Sequence, residues 1–292
     1  MAQLIINADE LGLCPSTNAA IEACHRFGTV TSTTVIVNLW DFDGAVRIAR
    51  DNPDLGVGAH LNLTDGRPVA NAADVPTLVA SDGCFHRRRV LLRRMIAGRI
   101  AADDVRREWR TQLDRLDRTG IRLTHLDSHE HVHFAPMPRR VLFELAAERR
   151  LPVRSLTETF VSPDGKRRRA WRMGRAYLKR WMRSRLFALL AARSKVPRTS
   201  VLLSVHGVIG TGARLPVLAD YVALLRALPD RGVSEMMVHP GRADETLASF
   251  CDDGQEGADR REAEFAVLMS QSFKDVLHRA GVRLETFGSV PR

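Results

Sequence analysis

Three short polar stretches carry the residues whose types and spacing could do chemistry. They occupy residues 7–10, 58–62 and 124–133, contain carboxylates and imidazoles, and each follows an apolar run typical of a β-strand. In a parallel barrel the carboxyl ends of the strands meet at one face, where active sites form. One carboxylate with two imidazoles suits a divalent cation that keeps positions open for water or substrate. The pattern therefore predicts a catalytic metal site that activates water for hydrolysis.

The third stretch is unusually rich in histidine. Asp127, His129, His131 and His133 alternate with other residues, so an extended backbone would project all of them to one side. A single buried histidine is typical of an ordinary core, but several desolvated imidazoles beside carboxylates need compensating partners. The stretch therefore favours a metal or proton-transfer site.

Other candidate residues have two interpretations each. The adjacent acids Asp9 and Glu10 could divide the tasks of proton acceptor and metal ligand, or they could form a helix N-cap. His239, before a Pro-Gly turn, could protonate a leaving amine or be a loop histidine. Arg154 could orient the base or the substrate, or lie on the surface. The residue types alone leave these alternatives open.

The elements that must position these residues alternate along the chain. Short β-branched or apolar runs alternate with stretches of helical periodicity, and each parallel connection needs a crossover, usually a helix. We predict an α/β fold in a single domain, residues 1–292, built as a distorted (β/α) barrel of seven or eight strands; an open doubly wound sheet is the alternative. Strands are predicted at 4–7, 31–38, 55–64, 123–127, 152–155, 201–205, 235–238 and 283–285, and helices at 15–27, 40–51, 103–119, 138–149, 215–228 and 260–280.

Composition restricts the class of protein. With 45% hydrophobic and 27% charged residues among 292, the chain has the balance of a folded globular protein. The four cysteines show no C-x-x-C or zinc-finger spacing, which argues against a disulfide framework or a structural zinc site. The first residues have no basic leader and only a short apolar run, so they predict neither a secretory signal nor a membrane span. We therefore expect a cytoplasmic protein.

The formal net charge of +10 would suit an anionic partner, but a coding bias toward arginine gives the same charge. We predict no nucleic-acid partner. Basic residues are concentrated around 163–195, where apolar residues such as Trp181, Leu186 and Phe187 are spaced by three and four. This spacing predicts a basic amphipathic helical insertion, which covers the barrel with a solvated arginine face or contacts a membrane surface peripherally.

Six segments, taken in order, resemble the YdjC-like family of carbohydrate deacetylases, which includes chitooligosaccharide deacetylase. They read NADELGL, TSTTVIVN, GAHLNLT, THLDSHEHVH, PVR and VHPG, and together they span most of the chain. The resemblance implies a distorted barrel related to polysaccharide deacetylases and a homodimer. It also implies a hydrolase that removes an acetyl group from an N-acetylated sugar, either an oligosaccharide or a lipid-linked glycan.

The resemblance also assigns roles to individual residues. Carried onto the matching positions, the family's ligands for one divalent metal ion, magnesium or zinc, are Glu10, His60 and His129. Asp9 would be the general base and His239 the general acid.

The remaining candidates would support these residues, and one position departs from the family pattern. Asp127, His131 and His133 are expected to orient the ligands, and Arg154 to orient the base or the substrate. Glu10 stands where the family usually has a second aspartate. The extra methylene adds roughly 1.5 Å of reach, which predicts a shifted metal position, weaker metal binding or a different ion.

Two rival functions fit part of the same sequence. A metal-independent glycosidase would use paired carboxylates and would be insensitive to a chelator. A degenerate barrel without deacetylase turnover would use its basic segment to bind an anionic membrane or polymer. A metal phosphoesterase is disfavoured because the sequence shows no second cluster of carboxylates for a two-metal site.

Overall fold

A parallel β-sheet forms the centre of the computed structural model, which describes residues 1–162, 165–166, 175–209 and 214–291. All pairings between the named strands of the sheet are parallel. The strands of the sheet are β1 (Gln3–Leu11), β2 (Ser32–Val35), β3 (Gly56–Leu61), β4 (Leu126–Ser128), β5 (Leu202–Ser204), β6 (Val233–Val238) and β7 (Arg283–Leu284).

The sheet curves into a distorted barrel. Its order is β4, β3, β2, β1, β6, β5, and β7 pairs with the start of β1. Val153 pairs with Leu126 of β4 on one side and with Arg198 on the other, and Glu158 pairs with Leu202 of β5. These isolated pairs bridge the two edge strands, so the prediction of a distorted α/β barrel is confirmed. The strand predicted at 152–155 is reduced to the pairing of one residue.

Helices supply the crossovers that a parallel sheet requires. Most of the predicted helices are present in the structure, with their ends shifted by a few residues. The helices in the described residues are α1 (Pro15–Arg26), α2 (Phe42–Asp51), α3 (Arg88–Ile96), α4 (Ala102–Asp117), α5 (Pro136–Arg149), α6 (Arg175–Ala191), α7 (His206–Ile209), α8 (Leu218–Leu225), α9 (Glu245–Phe250), α10 (Gln255–Met269) and α11 (Gln271–Arg279).

The helix predictions differ from the structure in two ways. The single helix predicted at 260–280 is divided into α10 and α11 at Ser270, whose backbone is extended and whose side chain caps α11 by accepting from the Phe273 N–H. Helices α3, α7 and α9 lie outside the predicted helices. In α3, Leu91 is the buried residue and the surrounding arginines hide any apolar periodicity. Helices α7 and α9 have only four and six residues, too few to show a helical period.

The basic insertion predicted around 163–195 is helical over α6. Phe187 of α6 is buried and packs in a small cluster with Leu156, which attaches the helix to the barrel. Residues 163–164 and 167–174 of the predicted insertion lie outside the described residues. In the described part of the chain, no helix is both long enough and apolar enough to cross a bilayer.

Alternation along β1 separates two environments. Leu4, Ile6 and Ala8 join the main hydrophobic core, which the helices complete, whereas Ile5 belongs to a separate cluster with Phe287. Because successive side chains of a strand point to opposite faces, Asp9 lies on the same side of β1 as Ile5, inside the barrel. The barrel interior therefore changes from apolar at the amino ends of the strands to ionic at their carboxyl ends.

A glycine in β3 makes room inside the barrel. A Cβ atom at Gly58 would lie 2.4 Å from the His125 ring, closer than any real contact. The His125 ring stacks on Phe287 with centroids 3.5 Å apart. His125 therefore fills the barrel below the ionic layer, and residue 58 has no space for a side chain.

Candidate metal centre

Glu10, His60 and His129 come together at the carboxyl ends of β1, β3 and β4. The Nδ1 atom of His129 lies 3.2 Å from Nε2 of His60 and 3.3 Å from Oε1 of Glu10. Each residue offers one ligand atom to a group whose atoms all lie within 4.8 Å of one another, and all three residues are buried. Metal bonds of about 2.1 Å hold neighbouring ligand atoms roughly 3 to 3.5 Å apart, so the spacing fits a single ion.

Neighbouring carboxylates orient the two imidazoles. Asp127 Oδ1 lies 2.7 Å from Nδ1 of His60, and Asp65 Oδ2 lies 2.9 Å from Nε2 of His129. These contacts favour a proton on each outward-facing nitrogen, so His60 Nε2 and His129 Nδ1, which face each other, are the atoms that would bind a metal ion. A cation between these two atoms, either a proton that they share or a metal ion, removes the repulsion between their lone pairs. The donor set therefore fits a divalent metal ion.

The centre is also electrostatically prepared for a cation. Burial by itself would lower the pKa of His129, but Asp65 and Glu10 outweigh it and raise that pKa to about 9. Burial by itself would raise the pKa of Glu10, but the Arg261 guanidinium and His129 hold it well below its usual range. Glu10 is therefore ionised, as a metal ligand must be.

Backbone geometry directs Glu10 toward the imidazoles. Its φ of 72° lies in the left-handed region, which is uncommon for residues other than glycine. The register between β1 and β2 also shifts between Ala8 and Leu11, as in a β-bulge. Arg261 Nη1, from α10, lies 2.6 Å from Glu10 Oε2 and holds the second oxygen. The bulge and this ion pair together fix the position of the Glu10 carboxylate. The Glu10 side chain is one methylene longer than the aspartate that the family usually has at this position.

Arg154 organises a second buried layer beside the centre. Its Nη1 and Nη2 atoms lie 2.6 and 2.5 Å from the two oxygens of Asp9. Nη1 also lies 2.7 Å from Asp127 Oδ2, and Nε lies 2.7 Å from Glu235 Oε1. Since Asp127 contacts both Arg154 and His60, the arginine layer is connected directly to a metal-competent imidazole.

This layer holds Asp9 ionised. Burial favours the neutral acid, but the charge and hydrogen bonds of Arg154 hold the pKa of Asp9 far below its ordinary value. Burial raises the pKa of Glu235 to about 7, even though Arg154 acts in the opposite direction. Asp9, which lines the first cleft, is therefore held as an ionised carboxylate paired with the guanidinium of Arg154.

His239 follows β6 and faces the same site. Its Nε2 atom lies 3.8 Å from Asp9 Oδ2, beyond hydrogen-bond distance, and its side chain is 21% exposed. Its backbone N–H donates to Glu264 Oε2 at 3.1 Å, which fixes the loop after the strand. His239 is thus held at the cleft with an accessible ring.

His131 and His133 do not share the side of the chain that Asp127 and His129 occupy. Residues 129–134 form a 3₁₀ turn in which His131 has a φ of 54°, so the extended backbone expected from the alternation is wrong. His133 is buried, with Nδ1 2.5 Å from Ser128 Oγ, and its ring packs edge-on against Phe187. Burial and the charge of Arg154 lower the pKa of His133 to about 3. His133 is therefore part of the packing under α6, whereas His131 lines the cleft.

Two clefts meet at the centre, and Glu10, His129 and His239 line both of them. The first has a volume of about 350 Å³, and the second has about 780 Å³. A substrate in either cleft can reach the candidate metal centre.

The first cleft has an apolar wall and a charged wall, lined among others by Phe134, Leu156, Glu158, Arg180, Leu202 and Met237. The second is lined largely by charged residues, among them Arg87, Arg88, Arg260, Arg261, Asp252 and Asp253.

Two other groups of close ligand atoms in the described residues compete with this assignment. In the group of His206, His239 and Glu264, Oε2 of Glu264 already accepts from the His239 N–H and the Tyr221 hydroxyl. The other group is formed by Asp9, His60 and Asp127. The guanidinium of Arg154 already contacts both carboxylates of that group, so it supplies the positive charge there. The centre formed by Glu10, His60 and His129 is therefore the better candidate.

The similarity to known proteins extends over nearly the whole chain. The family described as YdjC-like protein matches residues 3–279. The chain belongs to the YdjC-like family. It is 31% identical over 291 residues to a carbohydrate deacetylase of Brevibacillus brevis, with 99% of each protein covered. A chitooligosaccharide deacetylase of Yersinia pestis is 29% identical over 289 residues, with 97% of each protein covered.

A solved structure shares the fold of this YdjC-like chain over nearly its whole length. The crystal structure of a proposed cellobiose-phosphate cleavage protein from Enterococcus faecalis superposes with a TM-score of 0.77 and 26% identity. The superposition covers 99% of this chain and 98% of that one. The family resemblance inferred from six sequence segments is confirmed.

Several residues of this YdjC-like site were not identified from the sequence. Asp65 lies four residues after the GAHL segment and contacts His129, which a search for carboxylates near each motif could have suggested. Glu235 lies on β6, where a charged residue inside a buried strand is itself a signal. Arg261 lies on an ordinary polar helix, and its contact with Glu10 has no local sequence signal.

Proposed function

We propose that this protein is a metal-dependent hydrolase that removes an acetyl group from an N-acetylated sugar, either an oligosaccharide or a lipid-linked glycan. The names of its full-length relatives support the carbohydrate deacetylase activity. The observation that carries the proposal is the buried group of Glu10, His60 and His129, whose ligand atoms converge beside Asp9.

In this proposal Glu10, His60 and His129 hold one divalent cation. Such a cation, when bound, supplies Lewis acidity to the acetamide carbonyl oxygen and to the attacking water. Two nitrogen ligands and one oxygen ligand favour zinc over magnesium, because magnesium prefers oxygen ligands throughout. Asp127 and Asp65 keep the imidazole lone pairs directed at the ion.

Asp9 is the proposed proton acceptor. Arg154 contacts both of its oxygens, and Asn7 Nδ2 also donates to Oδ1 at 2.8 Å. The lone pair that can accept a proton from water is therefore on Oδ2. The low pKa makes Asp9 a weak base, so the acidity of the water must come from the cation. The function of Arg154 is to keep the carboxylate ionised and fixed in direction.

His239 is the proposed proton donor to the departing amine. Its ring is accessible from the cleft and is not hydrogen-bonded to Asp9, which leaves its Nε2 atom available to a substrate nitrogen. Proton transfer by a positioned imidazole typically contributes a factor of about 10² to 10⁴. Asp9 and His239 can therefore act as separate base and acid on one substrate.

The first cleft offers complementary surfaces to a sugar. Phe134, Leu156 and Met237 provide apolar contacts for the faces of a pyranose ring, and the ion pair of Glu158 with Arg180 offers hydrogen-bonding groups. A metal-independent glycosidase is a weaker candidate, since Asp9 and Asp127 both contact Arg154 and neither is placed to act as a protonated acid.

The proposal is tested by measuring bound metal and acetate release together. Elemental analysis of the purified protein and acetate release from diacetylchitobiose are compared for the wild type, for His60→Ala and for His129→Ala. Loss of both metal and acetate release in the variants supports the proposal, and chelation should abolish activity reversibly. Unchanged metal content and rate in both variants would refute it. The homodimer, the single domain and the cytoplasmic location stay predictions from the sequence.

A further inference from the structure

Helix α6 presents two contrasting faces. Ser184, Phe187 and Ala191 are buried against the barrel. The opposite face carries large apolar side chains that are exposed by 37% at Leu178, 57% at Met182, 52% at Leu186 and 65% at Leu189. We call these four residues the outer stripe of α6.

The outer stripe is continuous. With 3.6 residues per turn, its four members fall within about 80° of the helix circumference and extend over about three turns. Single exposed leucines are common on protein surfaces, but an aligned series of this length is an interaction surface. Among the described residues, the barrel packs against the opposite face of α6, through Phe187 and Ala191, and leaves the outer stripe exposed.

Basic and aromatic residues flank the outer stripe. Lys179 is exposed on one side of it and Arg185 on the other. The Arg185 guanidinium lies 5.5 Å from the centre of the half-buried Trp181 ring. Within α6 there is no acidic residue. An apolar stripe between cations, with tryptophan at its border, is the arrangement of helices that lie in the interface of a bilayer.

We propose that the outer stripe of α6 docks onto an anionic lipid bilayer surface, with the helix axis parallel to the membrane. Charge decides between the possible occupants. A second copy of the chain would bring Lys179 and Arg185 close to the same cations, and each chain has a formal net charge of +10. An anionic polymer would satisfy the cations but would leave the leucines in water. An anionic bilayer satisfies both.

Docking in this orientation has a consequence for the cleft. Arg180, Arg183 and Ser184 of the same helix line the first cleft. Arg180 Nε also lies 2.6 Å from Glu158 Oε2, which ties the helix to that wall. The membrane-facing stripe and the cleft wall are thus two sides of one helix, so docking would hold the cleft near the lipid headgroups.

The test is sedimentation of the full chain with vesicles, one set of phosphatidylcholine alone and one with equal parts of phosphatidylglycerol. We expect binding to the phosphatidylglycerol vesicles and weaker binding as salt increases from about 0.1 M to about 0.5 M. The double variant Met182→Glu with Leu186→Glu should bind at least about tenfold more weakly. Ile96→Glu, which changes an 89% exposed residue on α3, is the matched control and should bind like the wild type.

Circular dichroism and elemental analysis of the double variant test whether a loss of vesicle binding comes from misfolding. Circular dichroism and metal content should be unchanged in the double variant, which excludes a general folding defect. Because binding is measured without turnover, its failure is distinct from failure of the proposed deacetylase activity. The proposal is overturned if the wild type ignores phosphatidylglycerol vesicles, or if Ile96→Glu weakens binding as much as the double variant. It is also overturned if the wild type is dimeric, does not bind vesicles, and becomes monomeric in the double variant.

Discussion

Arg154 donates two hydrogen bonds to Asp9, which lies 145 residues earlier in the sequence, with Nη1 2.6 Å from Oδ2 and Nη2 2.5 Å from Oδ1. Both residues are buried, so the pair is shielded from water and salt. A planar guanidinium fixes the direction of a carboxylate, which a single ammonium cannot do. The proposed base of this enzyme therefore depends on a residue from a different part of the barrel.

The first prediction concerns this pair. Arg154→Lys keeps the charge but loses the two-point contact, so kcat should fall at least about tenfold while bound metal stays at the wild-type level. Acetate release and elemental analysis measure the two effects. Arg154→Met, which leaves the neighbouring carboxylates without their cation, should destabilise the fold by about 3 to 5 kcal/mol in urea unfolding. Wild-type kcat in the lysine variant would contradict the role given to Arg154.

The second prediction concerns the carboxylate behind His60. Asp127→Asn preserves the shape of the side chain but removes the charge that holds the His60 proton on Nδ1. Metal affinity should fall by about 10- to 100-fold, as is typical when a group that orients a metal-binding histidine is lost. Competition with a metal-sensitive dye measures the change. Asp103→Asn makes the same change at an 85% exposed carboxylate of α4 and serves as the matched control.

The third prediction concerns the length of the side chain at position 10. Glu10→Asp should bind metal more weakly, because the shorter carboxylate loses reach to the imidazoles and its 2.6 Å contact with Arg261. Glu10→Gln keeps the reach but removes the negative charge, and should lose more affinity than the aspartate variant. Calorimetric titration with zinc gives both values. Equal affinities in all three proteins would show that Glu10 is not a ligand.

The fourth prediction separates proton donation from metal binding. His239→Gln should lower kcat by about 10² to 10⁴. Metal content should stay unchanged if the ion is held by Glu10, His60 and His129, whereas its loss would point to the group that His239 forms with His206 and Glu264. An activated acetate ester, whose leaving group needs no proton, should be hydrolysed by this variant at nearly the wild-type rate. An equal loss with ester and amide would contradict the role of general acid.

The fifth prediction concerns stability in acid. Burial lowers the pKa of His133 to about 3, so the folded protein keeps this ring neutral while the unfolded chain binds a proton below its ordinary pKa of 6.5. The resulting stability is present above that ordinary pKa and is lost as the pH falls toward the folded value. Its contribution to the slope is at most about 1.4 kcal/mol per pH unit.

Urea unfolding of the wild type and of His133→Gln from about pH 7 to about pH 4 measures this slope. The unfolding free energy of the wild type should decrease more steeply with acidification than that of the variant, whatever their difference at neutral pH. Parallel curves would mean that His133 is protonated equally in both states.

The sequence by itself determined the class of fold and the residues of the centre. Each of Glu10, His60 and His129 directly follows or ends a short apolar run, and parallel strands separated by helices bring their carboxyl ends to one face. This convergence needs only local periodicity and the rule that parallel strands require crossovers. For that reason the α/β barrel and the face on which the polar stretches meet could be predicted before any coordinates. The choice of Glu10, His60 and His129 as ligands within those stretches comes from the resemblance to the YdjC-like family.

Only the tertiary structure decided which residues support that centre. Asp65, Glu235 and Arg261 contact ligands or the Arg154 layer through side chains that meet across the barrel, and such contacts have no local sequence pattern. The separation of His133 from His129 depends on left-handed residues in the intervening turn, where packing under α6 overrides the alternation expected of an extended strand. Strand and helix periodicity is a property of neighbouring residues, whereas ion pairing and burial depend on which distant elements become neighbours.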